Sequence, residues 1–149
     1  MKIYVATSWK NTRYTEVLAS LLLDDHEVYD WRKPARESYR REKAFMWDAL
    51  LHDPTQTTPE QFTIALHSLD AQVQLHRDVD ALVDADALIL VLPCGKSAHT
   101  EFGYASALGK QTYVLTEPDT IEAELLYGLA VVVTPHLALI RDRLSEVVW

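Results

Sequence analysis

Apolar positions along the chain change their rhythm several times, and each change predicts an element. Ile3, Tyr4 and Val5 form a short apolar run, read as a buried strand, and residues 7–11 form a polar loop. Tyr14, Val17, Leu18, Leu21 and Leu22 recur at helical spacing. They predict a helix with one buried face, capped by Asn11 or Thr12 and ended by Asp24 and Asp25. Residues 27–30 read as a second short strand. The rhythm is lost over residues 31–57, where Pro34, Pro54, many charges and Phe45, Met46 and Trp47 read as an insertion with a short helix around 40–51.

Order returns at Thr58-Pro59-Glu60-Gln61. Threonine before proline, with glutamine three positions after the cap, is the signature of a capped helix start. Phe62, Ala65, Leu66 and Leu69 supply the apolar face of that helix, and a further helix over 70–84 turns Val79, Leu82 and Val83 inward. Residues 87–92, ALILVL, are continuously apolar. Such a run suits a central parallel strand covered on both faces. A loop over 93–96 leads to a helix over 99–108 with Ser97 as its cap and Gly109 as its end. A strand over 111–115, a short helix over 121–127, a strand over 131–133 and a helix over 137–148 complete the chain.

Strands alternating with helices predict one α/β domain spanning residues 1–149: a three-layer fold around a five-stranded parallel sheet in the flavodoxin-like, Rossmann-like order 2-1-3-4-5. Ligands in such sheets bind beyond the carboxyl ends of the strands, where the winding direction reverses. Here that point lies between the first and third strands. It brings residues 7–13 and 93–98 to the same crevice.

Composition narrows the partners. Of 149 residues, 48% are apolar and 24% charged, as in soluble globular proteins, and the net charge of -8 argues against sequence-independent binding to a nucleic-acid polymer. A small nucleotide in a local pocket is still compatible with that charge. The basic stretch 32–43 is diluted by Glu37 and Glu42 and reads as a solvated surface. Cys94 is the only cysteine, so no intrachain disulfide can form and a reducing compartment is expected. The longest apolar run is too short to span a bilayer. These features point to a cytoplasmic protein with no membrane partner.

The crevice residues have a chemistry of their own. Gly95 sits where a positive φ or a close approach is often needed. Amides at the following helix start can hold an anion, with Lys96 and Ser97 completing a phosphate pocket, or these two are a surface lysine and a capping serine. Glu101, placed on the first helical turn, either offsets the helix dipole or acts on a ligand, with Gly103 leaving room beside it. Cys94 and His99 are two metal-ligand types without a matching second pair, so no metal site is expected. Cys94 is open to a thiolate reading and to a packing one, and His99 to hydrogen-bonding a substrate or covering the helix start. Trp31, Tyr39, Phe45 and Trp47 can stack on a base or pack against one another.

Residues 97–105, SAHTEFGYA, followed by Ala107-Leu108-Gly109-Lys110, resemble the E-x-G-Y-A…GK signature of the nucleoside 2-deoxyribosyltransferase superfamily. Residues 93–101, with Tyr29-Asp30-Trp31-Arg32-Lys33-Pro34, also resemble a branch of small bacterial and phage proteins that carry PCG-[RK]-SAH-x-E and an early YD-aromatic-R-x-P segment. The likeness is specific over residues 78–110. It implies an enzyme acting on a nucleoside or nucleotide, with base transfer and base release both open and no cofactor required. It further implies that Glu101 is the nucleophile of a covalent glycosyl-enzyme. Asp78, eight residues before Asp86, would contact or protonate the leaving base, where spacing alone reads it as a solvent-facing helix residue. Ser8, Asn11 and Arg13 would approach the sugar or its phosphate, though Arg13 also suits an exposed helix face. The superfamily often completes its sites across subunits, which implies a homo-oligomer. One departure stands out. The transferases carry a sugar-positioning aspartate six residues before the nucleophile, and the nucleotide hydrolases a phosphate-binding serine; here that position is Gly95. Two alternatives therefore stand beside the enzyme: a nucleotide-binding sensor or interaction module without turnover, and a TIR-like NAD glycohydrolase.

Overall fold

A computed structural model of the chain describes residues 1–32 and 45–146. They gather into two compact units, one of residues 1–29 with the chain from Leu82 onward, the other of residues 30–81.

The first unit holds the sheet. Strands β1 (Lys2–Ala6), β2 (Glu27–Tyr29), β3 (Ala87–Val91), β4 (Gln111–Leu115) and β5 (Val132–Thr134) are all parallel and lie in the order β2-β1-β3-β4-β5. The winding expected from the sequence is the observed one. β3 lies in the middle with all five residues buried, which is why it is apolar on both faces. Helix α1 (Tyr14–Leu23) joins β1 to β2, and helix α4 (Lys96–Ala107) joins β3 to β4. Right-handed crossovers running in opposite directions along the sheet put these two helices on opposite faces. Helix α5 (Leu137–Ser145) is tied to the end of α1 by a two-pronged ion pair from Arg141 to Asp24, both bonds 2.5 Å. The two segments of the unit meet at the sheet's lower edge. There the Lys2 amide donates to Asp86 at 2.7 Å and the Asp86 amide to the Lys2 carbonyl at 2.8 Å.

The second unit contains α2 (Pro59–Leu66) and most of α3 (Leu69–Asp84). Thr58 and Gln61 form the reciprocal capping box their spacing predicts. Phe45 meets Trp47 edge-on at 5.1 Å and Trp47 meets Phe62 at 5.3 Å, so these aromatics pack on one another. Tyr39 and residues 40–44 of the expected helix lie outside the described residues. The remainder of that helix is a 3-10 turn, Trp47–Ala49.

Several boundaries differ from the expected ones, for local reasons. Arg13, not Asn11 or Thr12, holds the cap position of α1; Asn11 instead accepts the Arg13 amide on its own side-chain oxygen. Leu22 of α1 is exposed, because Tyr14, Val17 and Leu21 already complete the buried stripe. Of the three residues expected inward on α3, Leu82 is buried and Val79 and Val83 are exposed: the less accessible face runs through Ala71, Gln74, Asp78 and Ala81 beside Leu82. In place of the helix expected over 121–127, the segment after β4 has no regular structure until a 3-10 turn, Leu125–Leu129. Among the described residues no helix is long and apolar enough to cross a membrane.

Candidate functional site

The carboxyl ends of β1 and β3 are laced together by side chains from the loop after β1. Thr7 donates its hydroxyl to the Val91 carbonyl at 2.7 Å. The buried Asn11 amide donates to the carbonyls of Val91 at 3.2 Å and Pro93 at 3.1 Å. Its oxygen accepts the Arg13 amide at 2.9 Å, so one carboxamide closes the first loop and anchors the second. Ser8 shapes the same loop, its hydroxyl accepting the Lys10 amide at 3.2 Å. Arg13 reaches across to the end of β4, where an amino group donates to the Thr116 carbonyl at 2.5 Å. Ser8, Asn11 and Arg13 thus lie together at the reversal point. What the structure adds is that Asn11 and Arg13 bond to backbone there.

The loop after β3 starts with a cis Leu92–Pro93 peptide. The cap of α4 is Gly95, not Ser97, and the helix starts at Lys96, three residues earlier than expected. Two consequences follow. Gly95 offers no side chain, so no cap hydrogen bond closes the helix start, and Lys96 and Ser97 are exposed in the first turn. Glu101 moves to the sixth helical position, and no acidic residue lies in the first turn. Dipole compensation fades beyond that turn. Offsetting the dipole therefore does not account for Glu101.

Gly95 also differs from its sequence reading. Its φ of -98° is open to any residue, and an added Cβ would meet nothing within 4 Å among the described residues. Neither a left-handed backbone nor a close approach calls for glycine at this position. Gly103 is likewise bordered by open space, which leaves room on α4 one turn from His99.

On α4, Ala98, Phe102 and Ala105 are buried and Glu101 is half-buried beside that stripe. Cys94 lies near enough to feel its charge. Burial first, then the carboxylates of Glu101 and Glu122, push the Cys94 thiol up to about 11. At neutral pH it is a thiol, which removes the thiolate reading.

His99 makes contacts that spacing did not foretell. Its Nδ1 is 3.0 Å from the Gly95 carbonyl and 3.4 Å from the Cys94 sulfur, and its Nε2 is 2.9 Å from the Tyr127 hydroxyl. The two rings stack at 5.9 Å, and Tyr127 meets Phe102 edge-on at 6.2 Å. Burial first, then the thiolate that Cys94 becomes only at alkaline pH and the carboxylates of Glu122 and Glu124, raise the Tyr127 hydroxyl above its ordinary range, so at neutral pH it remains a donor. Tyr127 escaped the sequence reading because it sits 28 residues away in an apolar stretch with no local polar signal. Thr116 escaped it as an ordinary strand-end residue, and the sequence places Thr7 in the crevice only as part of the first loop. Among the described residues no group of three or more His, Cys, Asp or Glu side chains could hold a metal ion.

Asp78 lies in the second unit, half-buried on α3, with its Oδ1 accepting the Gln74 amide at 2.7 Å. It is not the solvent-facing residue that spacing alone suggested.

No family model matches the chain, and no curated protein matches it. Several solved structures share its fold, among them two enzymes. The 2-deoxyribosyltransferase of the psychrotolerant bacterium Bacillus psychrosaccharolyticus superposes with a TM-score of 0.58 at 15% identity, over 95% of this chain and 91% of that one. The CMP N-glycosidase of Clostridium botulinum superposes with a TM-score of 0.50 at 19% identity, over 97% and 99%. At such identities the likeness is one of fold, and it is the fold that the signature residues implied.

Proposed function

We propose that this protein cleaves the N-glycosidic bond of a nucleoside or nucleotide, with Glu101 as nucleophile. The observation that carries the reading is the position of Glu101. It is half-buried beyond the first turn of α4, on the helix that leaves the sheet's reversal point, where offsetting the dipole gives no reason for a carboxylate. The signature around it and the fold held in common with a 2-deoxyribosyltransferase and a CMP N-glycosidase support the same reading.

In this proposal a Glu101 oxygen attacks the anomeric carbon as the bond to the base nitrogen breaks, through an oxocarbenium-like transition state. The electron pair leaves with the base, which takes a proton from solvent water. Water or a second base then attacks the same carbon and frees the Glu101 carboxylate. Hydrolysis and transfer differ only in that last acceptor. The uncapped amides of the first turn of α4, with Lys96 and Ser97, are the proposed seat of a 5′-phosphate.

A second reading has an observation of its own. Gly95 stands where a sugar-positioning side chain would fit without strain, yet none is present. That favours a nucleotide-binding module without turnover. One experiment separates the readings. The protein and its Glu101→Gln variant are incubated with deoxynucleosides, deoxynucleoside 5′-monophosphates, cytidine 5′-monophosphate and NAD, and released base is followed by chromatography. Base release that falls roughly 10³-fold or more in the variant is expected. Thermal stabilisation by a nucleotide with no release from any substrate favours the binding module, and nicotinamide release favours an NAD glycohydrolase.

A further inference from the structure

We infer that Tyr127 is a positioning residue for Glu101, acting through the His99 imidazole on the first turn of α4. The inference rests on the functional reading above for its catalytic consequence, and on geometry for the rest.

The first turn of α4 is weakly held by its own backbone. Its cap is a glycine with no side chain to bond the free amides, and the first helical bond, from the His99 amide to the Gly95 carbonyl, is long at 3.3 Å. A second donor reaches that same carbonyl: His99 Nδ1, at 3.0 Å. A carbonyl oxygen only accepts, so Nδ1 must carry the proton. The nearby Cys94 sulfur, at 3.4 Å, does not reverse this, because a bare Nδ1 would set its lone pair against the carbonyl. With Nδ1 protonated, the neutral ring has its lone pair on Nε2, and the Tyr127 hydroxyl at 2.9 Å is the group that donates to it. The chain of bonds therefore runs one way, from Tyr127 to His99 to Gly95.

The direction of the brace says which role Tyr127 has. Residues two positions apart on an α-helix are separated by about 200°, so Glu101 leaves α4 on the flank opposite His99. Tyr127 therefore acts on the turn and not on the reacting atoms. It comes from the 3-10 turn Leu125–Leu129, before β5, and holds α4 from that side. Removing its hydroxyl leaves His99 Nε2 without this donor, lets the ring take the other tautomer and releases the Gly95 carbonyl. The first turn then loses its second bond, and the start of the helix carrying Glu101 is held less firmly.

The Tyr127→Phe variant tests this, because the phenyl ring keeps the contacts with His99 and Phe102. Nitrogen-15 correlation spectra of the imidazoles should show His99 as the Nδ1–H tautomer in the wild type and a loss of that preference in the variant. Turnover in base release should fall roughly ten- to a hundredfold, with KM for deoxynucleosides, which lack the 5′-phosphate seated on that first turn, unchanged within about twofold and the melting temperature preserved, as expected when a reacting group is misplaced and binding is not. An Nε2–H tautomer in the wild type overturns the inference, and so does a variant whose turnover matches the wild type. A wild type that releases no base from any substrate removes the functional reading and with it the role proposed for Tyr127; the imidazole spectrum then still decides whether the brace exists.

Discussion

Asn11 concentrates more of the crevice in one side chain than any neighbour does. Its amide holds the Val91 and Pro93 carbonyls and its oxygen holds the Arg13 amide, all at 5% exposure. Replacement by alanine takes this partner from the Pro93 carbonyl and the Arg13 amide and leaves the Val91 carbonyl to the Thr7 hydroxyl, around a side chain that is itself buried. The expected cost is about 2–3 kcal/mol, read as a lower denaturation midpoint with unchanged slope. An Asn11→Ala protein as stable as the wild type would show that the loop is held by something else. Sequence alone placed Asn11 in the crevice, since it follows a strand end at a winding reversal. It did not tell that Asn11 clasps two loops, because its partners lie 80 and 82 residues away. Tyr127 was missed for the same reason: a tyrosine in an apolar stretch carries no mark of the histidine it meets.

At the scale of elements, α4 is the part whose ends matter. Its far end closes in the pattern that Gly109 predicts: Gly109 has φ +73°, its amide bonds the Ser106 carbonyl at 3.0 Å, and the Lys110 amide bonds the Ala105 carbonyl at 3.0 Å. Open space surrounds the missing Cβ, so conformation alone sets the cost of replacement. Gly109→Ala should cost roughly 1 kcal/mol or more in unfolding free energy, and a neutral result would argue against the left-handed closure. The near end was harder to read. Serine is a common cap and glycine a lesser one, so propensity favoured Ser97, whereas the chain enters the helix at Gly95. That shift of the start carried Glu101 out of the first turn and changed the meaning of the residue. The capping box at Thr58 and the buried run of β3 were legible because each is specified by adjacent residues. The exposed Val79 and Val83 were not, because a helix with several apolar positions can bury only one face.

Across the whole molecule, the ends of the first unit are joined by the Arg141–Asp24 pair. The hydrogen bond from Arg141 holds the Asp24 carboxyl below its ordinary value of 3.8. A lowered value in the folded state means that this contribution is present above the unfolded value and is lost as pH falls through the folded one. Wild-type thermal stability should therefore drop more steeply than that of Asp24→Asn between about pH 5 and pH 2, and equal slopes would contradict it. The same fold that brings Asp24 and Arg141 together brings the loops after β1 and β3 to one crevice, and the claim for Glu101 stands on that crevice. The most direct test is to trap the intermediate. The protein is incubated with 2′-fluoro-2′-deoxyarabino nucleosides and their 5′-monophosphates, in which fluorine slows breakdown of a glycosyl-enzyme, and intact mass and peptide mapping are read. A sugar or sugar-phosphate adduct is expected on the peptide carrying Glu101 and absent from Glu101→Gln; base release with no adduct on Glu101, persisting in that variant, would contradict the role of Glu101 as nucleophile.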